Sequence, residues 1–579
     1  MLRKLKYFVF LSAVVATSCK KDFLNINTDP NNPTTIKVSN LLSTTQRTLG
    51  DALSMDENNG GMSEILEVYM HQMTTREEAD KYGIVGTDVN LNTIWSKLYS
   101  SSPNPGTTFP IYGVLQNLED IIKNASAAGN MQYVGIAKVL KAYTFSQLVD
   151  AFGDVPFSEA NKLKEGIIYP KFDKDAAIYD SVFNILDAAI VNLNDASAVN
   201  AQKPGPDDLI YGGSVDKWIK AANTIKFKLL TQIRKVKDVS AQVNALISEG
   251  KMISRTSESF LIPYGPNGAT DDRNPGFFTY FATQRSNHVS PWFYEILKGY
   301  NKKILTGNPD PRIPYYIYNQ VTATQPPREG NQTEYRDGPF VSIYFGSVGP
   351  DRDRNQQNTI SLFGIYPVGG KYDDGSATVA DANSGTGAAP YRMITYADRL
   401  YLEAELIQAG VLAGDARAKL EEAIRESFRQ IDYVVTQFVK PTQSVPAVYK
   451  PTAGSPMETY ISKVLAEYDA GSAAKKLEMI MTQKWISSVG SAVDQYTDYR
   501  RTGYPILFNP ADPTMAPGGK VQPPINGDPV NPGTQKPVPV QLSKSFPLSL
   551  PWFQGELETN PNAPAQKADL STAKVFWMP

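Results

Sequence analysis

The only thiol in the 579-residue chain is Cys19, and the residues around it define the first chemistry the sequence offers. Ala16, Thr17 and Ser18 stand immediately before it, small enough for a signal peptidase. A cysteine at the +1 position is the lipobox pattern of a bacterial lipoprotein, here with Ala16 where leucine is commoner. The twelve residues from Tyr7 to Ser18 follow Arg3, Lys4 and Lys6, which is the layout of a secretory signal. A bilayer span needs about 20 apolar residues, so this stretch is too short to be one. Residues 1–18 are therefore expected to be a lipoprotein signal peptide, with Cys19 the lipid-bearing first residue of the mature chain. The alternative is an ordinary secreted protein with a stray cysteine. Each acyl CH₂ contributes about 0.8 kcal/mol of membrane affinity, so several chains on one cysteine tether firmly where a single chain would not.

Other chemistry is mostly excluded by spacing. His71 and His288 lie far apart, and neither has the H-x-x-x-H or H-E-x-x-H companion of a zinc site. There is no G-x-S-x-G elbow, no Walker loop and no G-x-G-x-x-G after a strand. Carboxylate pairs for glycoside hydrolysis stay open, because their spacing is set in space and not in sequence. "DRDRN" at 351–355 and "KYDDGSATVADAN" at 371–383 gather acids without the full calcium-loop pattern, and they read as loop chemistry. No metal, no cofactor and no catalytic residue is expected. Fifty-seven basic residues nearly balance fifty-nine acidic ones, which leaves no basic field to draw nucleic acid.

The elements that must position any site are mainly helical. Hydrophobic residues make up 41% of the chain and aromatics 11%, enough for a large core. With Cys19 given to lipid, no disulfide can form within the mature chain, and packing alone must hold it. Phe145, Leu148, Val149 and Phe152 fall at i, i+3, i+4 and i+7, with Gly153 and Pro156 as the stop. Val182, Leu186, Ala189 and Leu193 repeat the stripe, as do Trp218, Ala222, Ile225 and Leu229 behind an expected N-cap at Ser214. On that last helix Lys217, Lys220, Lys226 and Lys228 read as a solvated face. A second helical block opens at Ala397, Leu400, Tyr401 and Ala404, stops at Gly410, and restarts behind Asp415 with Leu420, Ile424 and Ile431. Paired helices with short Gly-containing turns suggest a tetratricopeptide-like array, although no clean 34-residue repeat is present. Between the blocks, aromatic runs are broken by Gly, Pro, Asn and Asp, and "FVSIYFG" is a candidate strand.

Several segments together resemble the SusD/RagB family of Bacteroidetes outer-membrane lipoproteins: "LNINTDPNNPT", "AYTFSQLVDAFGDVPFSEA", "YRMITYADRLYLEAELIQAG", "QKWISSVGSAVDQYTDYRRTG", "FPLSLPWFQGELETNPNA" and the closing "KVFWMP". Their order and spacing carry the likeness from residue 19 to the end. The resemblance implies a mainly α fold in which tetratricopeptide-like pairs scaffold an irregular, loop-rich ligand lobe. On this basis residues 19–579 form one domain, with a scaffold at about 36–254 and 390–503, a lobe at about 255–389 and a docked irregular tail at 504–579. It also implies a nutrient-binding lipoprotein, held to the outer membrane by lipid and facing the cell exterior. Such a protein captures an oligosaccharide or a peptide without chemistry and acts as the lid of a SusC-like TonB-dependent barrel. Lys20 and Lys21 depart from the acidic residues that family lipoproteins often carry after the lipid cysteine.

A sugar or peptide site needs flat apolar faces with a few polar groups to fix orientation. "NPGFFTYFATQRSNHVSPWFYEILKGYNKK" matches a family position near the ligand, and it nominates Phe281, Arg285, Asn287, His288 and Trp292. Trp95 and Tyr99, four apart on an expected helix, are alternatives, and Asp310 with Arg312 reads as a structural turn pair. Two readings compete with the lid. One is a helical-repeat scaffold without a small ligand, which predicts a groove for partner helices, and the other is a surface glycoside hydrolase.

Overall fold

The 3.6-residue stripes become packed helices in the computed structural model. It describes residues 37–57, 60–99, 113–266, 271–282, 285–324, 333–349, 352, 357–509, 512, 515 and 539–579. The signal segment and Cys19 lie outside these residues, as does "DRDRN" apart from Arg352. The first block contains α1 (Val38–Leu53), α2 (Met62–Tyr69), α3 (Val89–Tyr99), α4 (Val114–Ala127), α5 (Met131–Phe152), α6 (Asp175–Leu193), α7 (Val215–Ile233) and α8 (Ser240–Glu249). The lobe contains α9 (Pro291–Lys298), and after the lobe come α10 (Tyr396–Gln408), α11 (Ala416–Val434), α12 (Pro456–Ala470), α13 (Ala473–Ser487), α14 (Ala492–Thr502) and the short α15 (Gln554–Thr559). The fold is mainly α. Successive helices pack on one another, α4 on α5, α5 on α6, α6 on α7, and α10 on both α11 and α13.

Local sequence accounts for most of this. Phe145, Leu148, Val149 and Phe152 are all buried on α5, which Gly153 ends with φ 75°. α5 is buried on nearly every side, so it is the central helix of its block and not a surface one. Gly135 permits that: a Cβ there would stand 2.5 Å from Leu193 Cγ and 3.0 Å from the Ala189 carbonyl of α6. Asp415 caps α11 by accepting from the Arg417 and Ala418 amides at 2.9 and 3.2 Å. Thr395 and Asp398 form a reciprocal capping box on α10.

Two expectations on α7 are corrected. Ser214 occupies the N-cap position, but its hydroxyl makes no capping bond. Lys228 is not on a solvated face: it is 2% exposed and donates to Asp494 of α14 at 2.6 Å, while Lys220 bridges Asp216 and Glu258. The four lysines do not share one face: Lys226 turns to Asp187 of α6, while Lys228 is covered by α14.

Between the helical blocks the chain forms two-stranded antiparallel pairs. β1 (Met73–Thr75) pairs with β5 (Asn287–Val289), and β4 (Phe260–Ile262) with β10 (Tyr391–Ile394). β6 (Ile317–Tyr318) pairs with β9 (Leu362–Phe363), and β7 (Glu334–Asp337) with β8 (Phe340–Ile343) inside the candidate strand segment. In the first block β2 (Val155–Pro156) pairs with β3 (Phe172–Asp173). The described C-terminal residues dock on the helices, with Trp577 fully buried and the Leu550 amide donating to the Ala151 carbonyl at 2.8 Å.

Candidate functional site

The lobe is hung on β5 and α9. Ser290 caps α9 through the Trp292 amide with Pro291 at the first turn, and Gly299 ends the helix with φ 71°. β5 lies in register with β1, His288 opposite Thr74 and Asn287 opposite Thr75, which ties the lobe to the segment following α2.

The structure brings the five nominated residues into the lobe's packing and leaves none of them facing solvent. Phe281 is 2% exposed and stacks on Phe277 at 4.8 Å, against the backbone of Gly370. Arg285 is a hub with φ 63°: its guanidinium donates to the Ala380 carbonyl at 2.5 Å, to Phe281 O and Gln320 Oε1 at 3.4 Å, and to the Gln357 carbonyl. Burial pulls its pKa down to about 10. Asn287 donates to Glu64 Oε1 at 3.2 Å. His288 is enclosed, and burial with Arg352 and Arg76 nearby pulls its pKa down to about 3. Trp292 donates to the Ile506 carbonyl at 3.3 Å and lies 5.9 Å from Phe508. In this conformation the five support the lobe from beneath, and a ligand could reach them only if the lobe opened. The reason is tertiary: strand pairing and the segment at 504–509 cover faces that local sequence leaves open.

Trp95 and Tyr99 do share a helix face, 4.8 Å apart, but Phe152 and Phe172 pack on Trp95, with Trp552 against Phe172. Asp310 and Arg312 form a fully buried ion pair, with Arg312 Nη2 2.5 Å from Asp310 Oδ2 and the guanidinium 4.7 Å from the Phe428 ring. In the 371–383 loop Asp373, Asp374 and Asp381 accept from the amides of Gly375, Ser376 and Asn383, the turn chemistry read from sequence.

Sequence reasoning passed over a residue one step beyond the helix cap. Tyr300 is 50% exposed, Lys298 Nζ stands 5.8 Å from its ring centre, and burial together with the nearby Asp337 carboxylate pushes the hydroxyl's pKa up. Asp337 accepts from the Tyr294 hydroxyl at 2.8 Å, and Tyr294 stacks on Phe340 at 3.7 Å. The available signal was "KGYNKK", an aromatic placed just after a C-capping glycine among polar residues, where the chain leaves the buried helix face.

The scaffold holds a separate groove of about 550 Å³ between α6, α7 and α8. Phe183, Leu230, Ile233 and Leu246 line its floor, and Lys226 and Lys237 reach across to Asp187 and Asp180 at 2.6 and 3.8 Å.

Comparison with known proteins follows the same outline. The profile of the SusD-like family described as "Starch-binding associating with outer membrane" matches residues 30–523. No curated protein sequence matches significantly. Among solved structures, a chitin-binding protein is 22% identical, with TM-score 0.61 over 91% of this chain and 95% of its own. A SusD homologue from Bacteroides uniformis is 20% identical, with TM-score 0.61 over 93% and 99% of the two chains. A SusD/RagB family protein from Bacteroides thetaiotaomicron is 17% identical, with TM-score 0.61 over 94% and 99%. At these identities the likeness is one of fold.

Proposed function

Because this chain belongs to the SusD-like family, described as starch-binding and associating with the outer membrane, we propose that it is a cell-surface nutrient-binding lipoprotein. In this reading Cys19 carries the lipid, the irregular lobe holds an oligosaccharide, and the protein is the lid of a SusC-like TonB-dependent barrel. The observation that carries it is the family match over residues 30–523, joined to a fold shared along more than nine-tenths of solved SusD homologues. Binding without chemistry suits the lobe, where Arg285 and Trp292 donate to backbone carbonyls and Asn287 to the Glu64 carboxylate. Opening would be a hinge motion against the partner, and ligand would bias closure only by its differential affinity for the two states. The groove between α6, α7 and α8 favours one further reading, a helical scaffold that seats a partner segment.

The deciding experiment is purification from the native outer membrane in gentle detergent through a C-terminal tag, with protease accessibility measured on whole cells. The lid reading expects a stoichiometric large barrel and external cleavage. Recovery of the protein alone, or protection of it inside the cell envelope, overturns that reading and favours the scaffold. Calorimetric titration with maltoheptaose, chitohexaose and a casein tryptic digest separates a glycan ligand from a peptide one.

A further inference from the structure

Exposed apolar side chains are ordinary when scattered and informative when gathered. Among the described residues, only one stretch of seven carries three large exposed ones: Leu163 at 66%, Ile168 at 64% and Tyr169 at 48%, all in the β2–β3 loop. That loop is tied down. The Ile167 amide donates to the Lys162 carbonyl at 3.2 Å, and the Lys171 amide to Glu159 Oε2 at 2.9 Å. From the C-terminal segment, the Asn562 and Asn560 side chains donate to the carbonyls of Tyr169 and Pro170 at 2.6 and 2.7 Å. A fixed backbone thus holds three apolar side chains out in water. Lys164, Lys171 and Lys174 accompany them, paired with Asp120, Glu159 and Asp154 at 3.3, 3.7 and 2.7 Å. In these pairs the lysine side chains are 54–82% exposed and the acids 24–32%, so the ammonium groups stand outermost, with Glu165 the exposed acid of the same turn.

We propose that the β2–β3 loop is a bilayer contact: Leu163, Ile168 and Tyr169 enter the headgroup boundary of the membrane that carries the lipid anchor, and the three lysines meet lipid phosphates there. The inference rests on the lipoprotein reading of Cys19 and adds a second point of attachment, which fixes how the body stands on the membrane. The side chains suit that boundary. Aliphatic residues gain by leaving water, tyrosine lies where one end is apolar and the other wet, and lysine lays its methylenes on apolar surface while its ammonium stays at the phosphates. A stable protein interface covers about 800 Å² per partner, more than one loop tip presents. The length of chain before the described residues also fits. α1, which follows the tether, packs on α4, and Lys164 pairs with Asp120 of that same helix. Eighteen residue steps separate Cys19 from Lys37, about 60 Å at full extension, so the anchor and the loop reach one bilayer.

The test is flotation of the full mature chain carrying Cys19→Ser, which cannot take lipid, on vesicles of phosphatidylethanolamine with about one quarter phosphatidylglycerol and on vesicles of phosphatidylcholine. The loop predicts binding that favours the anionic vesicles and weakens with salt. Adding Leu163→Ser and Ile168→Ser should lower the bound-to-free ratio at least about ten-fold. Adding Lys164→Gln, Lys171→Gln and Lys174→Gln should erase the preference for anionic vesicles, and adding Val379→Ser, at an exposed apolar residue of the lobe, should change neither. Urea midpoints should stay in place, because every substituted loop side chain is exposed. No flotation of the Cys19→Ser chain, or flotation that the two serines leave unchanged, overturns the bilayer contact. Loss of a copurifying barrel when the two serines enter the native chain, with vesicle binding unchanged, gives the loop to a protein partner and overturns it as well. Mass spectrometry of the native N-terminal peptide tests Cys19 separately: absence of acyl chains overturns the anchor, whereas the vesicle measurement decides the loop.

Discussion

Single side chains in this protein separate support from contact. Arg285 has the residue type and the neighbourhood of a ligand contact, yet its guanidinium is spent on the carbonyls of Phe281, Gln357 and Ala380. Replacing it with methionine leaves buried carbonyls without donors, a cost of about 3 kcal/mol. The expected result is a lowered urea midpoint with affinity of the folded fraction for the bound oligosaccharide kept within about three-fold, since 1.4 kcal/mol is ten-fold in binding. A large loss of affinity at unchanged stability would instead make Arg285 a contact. Glu67 offers a cleaner electrostatic prediction. It is fully enclosed on α2, and burial pushes its pKa up to about 8 against the hydrogen bond it accepts from the Gly490 amide at 2.8 Å. A carboxyl whose folded pKa is raised holds its proton in the native state where the unfolded chain has released it. Its contribution is therefore full below the ordinary carboxyl range and is lost as pH rises through about 8. His71 and His288, pulled down to about 3, act oppositely: their contribution is full above the ordinary histidine range and is lost as pH falls towards 3. Glu67→Gln should accordingly gain on wild type between pH 5 and pH 8 in urea midpoints. An unchanged gap at the two pH values would contradict the enclosed-acid account.

At the scale of elements, the helices were legible and the lobe was not, for a physical reason. A helix announces itself within a dozen residues, so the stripes at Phe145–Phe152, Val182–Leu193 and Ala397–Ala404 sufficed to place α5, α6 and α10. The lobe's pairings reach far along the chain. β1 finds β5 more than two hundred residues away and β4 finds β10 across the whole lobe, so no local period records which aromatic face they cover. Lys228 fails for the same reason: its burial is decided by α14, not by its own helix. The Asp310–Arg312 turn shows how the lobe is fastened to the second helical block. Arg312 donates to Ser427 of α11 at 2.7 Å and lies among Phe428, Tyr460 and Tyr316. Arg312→Met would leave the Asp310 carboxylate enclosed and uncompensated, a loss of about 3–5 kcal/mol. The double variant Asp310→Leu/Arg312→Met should lose less than Arg312→Met alone, because no bare charge remains. Denaturant midpoints of wild type and the two variants decide the matter, and a double variant that loses more than Arg312→Met alone would mean that an uncompensated Asp310 is not the source of the loss.

For the whole molecule the question is what holds together a long chain whose one thiol is at position 19. The structure answers with the C-terminal segment, which returns to the beginning of the fold and closes the end of α5. Trp552 Nε1 donates to the Asp154 carbonyl at 2.8 Å, and Lys567 Nζ donates to the carbonyls of Phe152 and Leu550 at 2.6 and 2.7 Å. Trp577, third from the end, donates to Asp150 Oδ1 at 3.1 Å, with the Arg500 guanidinium 4.9 Å from its ring. Asp150 also accepts from the Tyr179 hydroxyl, so the last residues complete a buried cluster shared by α5, α6 and α14. Trp577→Ala opens a cavity in that cluster and deprives Asp150 of one donor, a loss of about 3–5 kcal/mol. Since Trp577 anchors the far end of the segment, the loss should be felt first as release of that end and then as lower global stability. Limited proteolysis should move the earliest cut into residues 539–579, ahead of any cleavage in α5 or α6. An unchanged cleavage order together with an unchanged unfolding midpoint would mean that the first block closes without its C-terminal cover, and that the tail's docking follows the fold and does not sustain it.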